Sequence, residues 1–169
     1  MPQYTQEAFS LEINRRAVII DTNVLVDGFC QDDAGHYEYV RYFLNDSEVP
    51  QFLIPTAVIV ESWGFIVGKS KNWKAGRELL AWVNTPGKGV SVIPQLDNFS
   101  DASELSKELA NYKIDYVDSV IYTLANKIST LCDLNPPIAV ATYDTRDFFS
   151  LKQARPQLRF TLYDDLPPR

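Results

Sequence analysis

Four acidic side chains are the residues of this sequence best placed to carry out chemistry, because each follows or interrupts an apolar stretch. They are Asp21, Glu61, Asp118 and Asp144. Clustered carboxylates repel one another, so such a group is stable only with bound protons or cations. Sites whose ligands are all oxygen atoms suit hard ions such as Mg²⁺ or Mn²⁺. If the fold brings the four acids together, they form a site for one of these ions.

Two of the acids are expected at the tips of buried strands. Residues 17–20 form an uninterrupted apolar run that leads into Asp21, and the run 138–142 ends two residues before Asp144. Such runs are typical of strands buried in a parallel sheet. The carboxyl ends of these strands form the edge where α/β proteins bind ligands. The alternative for Asp21 is a simple cap of the next helix.

The other two acids are expected in helices. The stretch 56–68 is apolar almost all round, which predicts a buried helix capped by Thr56, with Glu61 as its only charge inside. A lone buried carboxylate is costly unless it is paired or binds a metal, so an ion pair with an arginine is the alternative. Asp118 lies near the start of a helix within residues 113–131, where acids are favoured without any further role. Strand tips and helix starts share one edge of a parallel sheet with crossover helices, so we expect the acids to converge there.

The remaining pattern predicts an α/β fold in a single domain, residues 1–169. Residues 1–16 form an extension before the first strand, either an edge strand or an arm on a partner. No internal repeat, low-complexity tract or linker divides the chain. Further strands are predicted at 51–54, 90–93 and 159–163, and further helices at 36–44, 78–84 and 100–111.

The composition excludes several classes of function. The formal net charge of −6 is opposite in sign to that of a passive basic nucleic-acid binder. Two distant cysteines, Cys30 and Cys132, and a single histidine, His36, argue against a zinc site of the Cys/His type. The polar residues 1–16 resemble no signal peptide, and no apolar run approaches the roughly 20 residues that span a membrane. We therefore expect a cytoplasmic protein.

One basic segment, residues 69–77, is a candidate RNA-binding surface. Basic side chains interleaved with an aromatic ring suit a phosphate backbone and a stacked base. The alternative is a solvated loop and helix start, with the tryptophan packed on the core. Arg146 is another candidate for a substrate phosphate, with a surface ion pair as its alternative. The candidates within the segment are Lys69, Lys71, Trp73, Lys74 and Arg77.

Four motifs, in this order and spacing, make the sequence resemble the PIN-domain nucleases, which include the VapC-type toxins of toxin–antitoxin pairs. They are DTN starting at Asp21, VIVESW around Glu61, YVDSVIYTLA around Asp118 and ATYDTRDF around Asp144. The resemblance implies an α/β/α sandwich with a central, mostly parallel sheet. It also implies metal-dependent cleavage of RNA with Mg²⁺ or Mn²⁺. Sixteen residues before the first strand and a long region 69–99 depart from the compact toxins of the family.

The resemblance assigns roles residue by residue. Asp21, Glu61, Asp118 and Asp144 correspond to its catalytic and metal-binding acids, Asn23 and Thr142 to supporting positions, and Asp147 to an accessory acid. It also suggests a homodimer and, for a toxin, a protein antitoxin as partner. Large aromatic side chains before the third strand exceed what one small core needs and are candidates for a partner surface. They are Tyr37, Tyr42, Trp63, Trp73 and Trp82.

Two other classes of function remain open. Haloacid-dehalogenase-like phosphatases also begin from an aspartate after an apolar strand, but they carry an acid two residues further on, where this chain has Asn23. A PIN-like module that binds protein or RNA without catalysis would keep the fold and a partner surface. Metal-dependent cleavage of RNA separates the enzyme from this binding module.

Overall fold

The computed structural model describes residues 16–31, 35–46, 48–85, 89–94, 99–112 and 114–169, without the side chains of residues 46, 99, 100 and 111. The predicted extension 1–16 lies outside the described residues except for Arg16. The interpretation of this extension therefore stays a prediction.

In the part of the chain that the structure describes, five short parallel strands form the central sheet, in the order β3-β2-β1-β4-β5. All four strand pairs are parallel, and β1 lies in the middle, with Ile19 opposite Leu53 of β2 and Val140 of β4. Every residue of β1 and β2 is buried, as uninterrupted apolar runs predict. The strands are β1 (Val18–Ile20), β2 (Phe52–Pro55), β3 (Val90–Ile93), β4 (Ala139–Ala141) and β5 (Thr161–Leu162).

Helices connect the strands and cover the sheet, which gives the predicted α/β/α architecture. The first helix packs against the second, third and fourth helices, and the fifth packs against the sixth. A π-helical segment, Gly64–Lys69, continues the third helix, and a 3₁₀ turn, Ala110–Tyr112, follows the fifth. The helices are α1 (Thr22–Phe29), α2 (His36–Asp46), α3 (Thr56–Trp63), α4 (Trp73–Val83), α5 (Phe99–Glu108), α6 (Tyr116–Leu131) and α7 (Thr145–Ala154).

The third helix differs most from its prediction. Pro55 belongs to β2, and the Thr56 hydroxyl donates to the Ile93 carbonyl, so it does not cap α3. The expected burial all round is wrong, because Val60 is 65% exposed and Phe65, in the π-helical segment, is 40% exposed. One side of α3 packs on α1 and α6, while the other side remains open to solvent.

Asp144 is the N-cap of α7, because its carboxylate accepts from the Asp147 backbone N–H. One smaller expectation is also corrected. Trp82 is 4% exposed and packs on Phe29 and Phe52, so it belongs to the core and not to a partner surface. Within the described part of the chain, no helix combines the length and apolar character that crossing a membrane requires.

Candidate active site

An open cleft of about 740 Å³ lies at the carboxyl edge of the sheet, and all four predicted acids line it. We call this the acidic cleft. The four predicted acids come from the tips of β1 and β4, from α3 and from the start of α6, so the fold brings together acids up to 123 positions apart. The carboxylates that line it are Asp21, Asp27, Glu61, Asp115, Asp118, Asp144 and Asp147.

Asp21 is the most firmly held of these acids. It is the N-cap of α1 and is only 6% exposed. Its carboxylate accepts hydrogen bonds from the Thr22 backbone N–H (2.5 Å), the Asn23 side-chain amide (2.7 Å) and the Thr142 hydroxyl (2.6 Å). Burial is the main reason that the pKa of Asp21 rises to about 6, although the bond from Thr142 opposes the shift. Asp21 is therefore a helix cap and a wall of the acidic cleft at once.

Thr142 and Asn23 join the tips of β1 and β4. The buried Thr142 hydroxyl donates to Asp21 and accepts from the Asn23 amide (3.1 Å) and from the Asp144 backbone N–H (3.0 Å). The Asn23 carbonyl oxygen accepts from the Tyr143 backbone N–H (3.0 Å). These bonds tie the position of Asp21 to the backbone that carries Asp144.

Asp118 lies in the first turn of α6, where it forms a reciprocal capping box with Asp115. The Asp118 N–H donates to the Asp115 carboxylate (2.9 Å), and the Asp115 N–H donates to the Asp118 carboxylate (3.3 Å). Burial raises the pKa of Asp118 to about 8, and repulsion from Asp115 and Asp21 adds to the shift. Asp118 therefore takes part in the cap of α6 and also lines the acidic cleft.

Glu61 is exposed, so the prediction of a lone buried carboxylate is wrong. The error arises because the side of α3 that carries Glu61 faces the open cleft, which the apolar sequence around it does not reveal. Its carboxylate accepts a hydrogen bond from the Thr22 hydroxyl (2.5 Å). The DTN segment thus holds both Asp21 and Glu61.

Asp144 and Asp147 lie together at the start of α7. Burial raises the pKa of Asp147, and repulsion from Asp144 raises it further. Arg146 is mostly exposed and lies 3.6 Å from the Asp147 carboxylate, which is the surface ion pair weighed as its alternative role.

Comparison with known protein families matches residues 18–152 to the PIN domain. The chain belongs to the PIN-domain family. The family predicted from the motifs is therefore confirmed. A search of the curated proteins gave no significant match.

Solved structures show the same PIN-domain fold. VapC20 of Mycobacterium tuberculosis, a toxin that cleaves the sarcin–ricin loop, has a TM-score of 0.63 at 16% identity, covering 79% of this chain and 94% of its own. VapBC2 from Rickettsia felis, bound to a DNA fragment from their promoter, has a TM-score of 0.50 at 16% identity, covering 88% and 99%. At these identities the likeness concerns the fold alone.

The acids of this PIN domain suit a hydrated divalent cation. Among the described residues, no lysine, arginine or histidine forms an ion pair with Asp21, Glu61, Asp118 or Asp144. The repulsion that raises the pKa of Asp118 is the kind that a bound cation relieves. No three carboxylate, imidazole or thiol groups of the described chain converge closely enough to hold an ion between them. Mg²⁺ is commonly bound through one or two carboxylates and several waters, so this open arrangement fits it.

Of the candidate RNA-binding residues, only Lys69 lines the acidic cleft. Its ammonium group lies 4.9 Å from the centre of the Phe65 ring. Trp73 is 59% exposed and contacts Trp63, so it is not packed in the core. The candidates that do not line the acidic cleft are Lys71, Trp73, Lys74, Arg77 and Arg146.

Several residues that line the cleft are missing from the sequence-based site, among them Thr22, Asp27, Asp115 and Arg169. Thr22 belongs to the DTN motif, and its position between Asp21 and Asn23 is the signal that could have identified it. Asp115, three residues before Asp118 at the start of α6, has no role in the sequence-based site. Asp27 and Arg169 lie 142 positions apart and form an ion pair, for which the sequence carries no local signal.

Proposed function

We propose that this PIN-domain protein is a metal-dependent endoribonuclease that hydrolyses phosphodiester bonds of single-stranded RNA. The observation that carries the proposal is that the four motif acids line one open cleft, where they lack cationic partners among the described residues. The endoribonuclease activity is named from the family to which the chain belongs and from VapC20, whose fold it resembles. The cytoplasm is the location expected of such an enzyme.

In this proposal Asp21, Asp118 and Asp144 hold Mg²⁺ or Mn²⁺, directly or through water, and Glu61 contacts the ion's water shell. A bound divalent cation lowers the pKa of a water molecule and offsets charge on the reacting phosphate. Asp21 is held by three hydrogen bonds, so its carboxylate needs little rearrangement when an ion binds. Asp147, on the same turn as Asp144, acts as an accessory acid.

Glu61 is the residue proposed to orient the attacking water. Its Oε2 atom is engaged by the Thr22 hydroxyl, and the side chain is exposed to the cleft. The second carboxylate oxygen, Oε1, is therefore placed to accept a hydrogen bond or a proton from that water. Asn23 and Thr142 support the site by keeping Asp21 in position.

We also propose partners of the same kind as those of VapC-type toxins, namely a second copy of the chain and a protein antitoxin. The support is the likeness of fold to VapBC2, which was crystallised on promoter DNA. The toxin role is a proposal beyond the nuclease activity and is tested separately, by whether a small DNA-binding protein is encoded immediately upstream.

Cleavage of a labelled single-stranded RNA with Mg²⁺ or Mn²⁺ tests the nuclease proposal. We expect cleavage by the native protein, its loss in chelator, and little or none by the Asp21→Asn variant. The amide keeps the size of the carboxylate and can still accept at the strand tip, so the fold should survive. The matched control is Asp101→Asn on α5, an exposed acid outside the acidic cleft.

The melting temperature without metal separates loss of chemistry from loss of fold. For Asp21→Asn we expect it to be unchanged or raised, because repulsion among the remaining acids falls. Normal cleavage by this variant at limiting metal would reduce Asp21 to a helix cap. Metal-independent binding of RNA without any cleavage by the native protein would favour the non-catalytic module.

A further inference from the structure

The acidic cleft poses an electrostatic problem for the proposed substrate. Its lining carries seven carboxylates, and the described basic side chains that line it are Lys69 and Arg169. An RNA strand brings further negative charge, so cations near the bound strand are needed besides any metal. The inference below concerns Arg169 and rests on the proposed function.

Arg169 is held in a defined orientation against the cleft wall. Its Nε and Nη2 atoms lie 2.9 Å and 2.8 Å from one carboxylate oxygen of Asp27, on α1. The guanidinium group also stacks over the Tyr143 ring, 4.6 Å from its centre. A carboxylate and an aromatic face therefore hold the guanidinium from two directions.

The backbone before Arg169 is attached to the same wall. The Tyr143 hydroxyl donates to the Pro167 carbonyl (2.9 Å), and the His36 Nδ1 atom lies 3.0 Å from the Pro168 carbonyl. Tyr143 lies between Thr142 and Asp144, and its ring contacts His36 edge to face. Residues 167–169 are thus anchored to the segment that carries Asp144.

The guanidinium group keeps donors available. It has five N–H groups, of which the Asp27 oxygen engages one on Nε and one on Nη2. No other described residue accepts a hydrogen bond from it, and its side chain is 54% exposed. The N–H groups that Asp27 does not engage, including those of Nη1, remain available. A planar guanidinium group of this kind binds phosphate oxygens well.

We propose that Arg169 is a substrate-binding residue that contacts a backbone phosphate of the RNA strand lying in the acidic cleft. Asp27 and Tyr143 are positioning residues, since they orient the guanidinium before substrate arrives. This orientation reduces the entropy lost on binding. Lys69, on the π-helical segment, supplies the second cation, without a comparable anchor.

The test compares Arg169→Ala and Arg169→Lys with a charge-matched control, Lys107→Ala. Lys107 is exposed on α5 and does not line the cleft. With Mg²⁺ or Mn²⁺ present, we expect Arg169→Ala to raise KM for single-stranded RNA about tenfold with kcat little changed, the loss of one charge-assisted hydrogen bond. Arg169→Lys should recover part of the affinity, and Lys107→Ala should match the native protein.

The salt dependence of RNA affinity distinguishes a phosphate contact from a merely structural role of Arg169, because only the contact changes this dependence. RNA binding is measured in the Asp21→Asn background over a range of salt concentrations. Loss of one phosphate contact should reduce the slope of log K against log salt by about 0.7 in Arg169→Ala and not in Lys107→Ala.

Failure of this inference is distinguishable from failure of the proposed function. Native cleavage combined with an unchanged KM and salt slope in Arg169→Ala would overturn the inference alone. Tighter RNA binding by Arg169→Ala would also overturn it, since Arg169 would then be an obstacle to substrate. Absence of both RNA binding and cleavage in the native protein would overturn the two proposals together.

Discussion

At the scale of single residues, the Thr142 hydroxyl is the point on which the geometry of the acidic cleft depends. It is buried, and it takes part in hydrogen bonds with Asp21, Asn23 and the backbone of Asp144. A buried hydroxyl that makes three bonds leaves three partners incomplete when it is removed, and unsatisfied buried groups are costly. Thr142 therefore contributes to stability as well as to the proposed site.

Thr142→Val preserves shape while removing this hydroxyl. We expect the free energy of unfolding to fall by about 1–3 kcal/mol, with weaker cleavage because Asp21 loses one of the three hydrogen bonds that hold its carboxylate. Thr161→Val on β5 is the matched control, since it removes one hydrogen bond of 3.3 Å to the Pro137 carbonyl, outside the acidic cleft. Urea unfolding measures the free energy of unfolding of the two variants. An equal decrease in both would contradict the special contribution of Thr142 to stability.

Asp118 makes the stability of the metal-free protein depend on pH. Its pKa in the folded protein is about 8, well above the ordinary carboxyl value, so the folded state binds the proton more tightly than the unfolded state. The stability that this proton provides is present at low pH and is lost as pH rises through about 8, with a maximum slope of about 1.4 kcal/mol per pH unit. Asp21, with its pKa of about 6, acts in the same direction.

In chelator, we expect the melting temperature of the native protein to fall between pH 5.5 and 8.5. The Asp118→Asn variant should show a shallower fall and a higher melting temperature at pH 8.5, because the amide carries no charge and can still accept from the Asp115 N–H. Asp101→Asn should follow the native profile. A native melting temperature that rises over this range would contradict the assignment.

At the scale of elements, the close approach of α4 to the π-helical segment shapes one wall of the cleft. A Cβ atom at Gly76 would lie 2.5 Å from the Val67 side chain and 3.0 Å from the Trp63 ring. Val67 is buried and β-branched, so its side chain has little freedom to move aside. Glycine at this position therefore allows α4 to pack against the segment that carries Lys69 and Phe65 into the cleft.

Gly76→Ala should destabilise the protein by about 1–3 kcal/mol, because overpacking forces these neighbours to shift. Gly68→Ala, in the π-helical segment, is the control: no atom lies within 4 Å of the added Cβ, and alanine favours helical backbone. We expect the control to be neutral or slightly more stable. Thermal unfolding compares the two, and equal stability of both variants would argue against the tight contact.

At the scale of the whole molecule, several large apolar side chains are exposed on the consecutive elements from α3 to α4. Val60 on α3, Phe65 on the π-helical segment and Trp73 at the start of α4 are 65%, 40% and 59% exposed. Tyr42 on α2 is 66% exposed. Large exposed apolar residues are typical of surfaces that bind another protein.

We expect the chain to form a homodimer through the exposed side of α3 and α4. Light scattering should give twice the chain mass of 19.2 kDa at micromolar concentration. Val60→Lys should reduce this mass, because burying an unpaired charge in an interface is costly. Leu131→Lys, at an exposed position on α6, should not. A monomer at all micromolar concentrations would contradict the expected dimer.

The sequence by itself determined the elements and the order of the acids. The buried strands around Asp21 and Asp144 are recognisable because a strand covered on both faces needs an uninterrupted apolar run. The cap at Asp21 follows from local hydrogen bonding that a few residues satisfy among themselves. These features depend on near neighbours in the chain, and the PIN-domain motifs lie among them.

Only the tertiary structure decided which distant groups meet. The sheet order places β4 beside β1, so Thr142 reaches Asp21 across 121 positions and Arg169 reaches Asp27 across 142. The same packing buries Trp82, against the expectation drawn from the number of aromatic residues, and leaves Glu61 exposed, against the expectation drawn from its apolar helix. An apolar helix does not reveal which of its sides a neighbour covers, because burial depends on the arrangement of the other elements and not on local sequence.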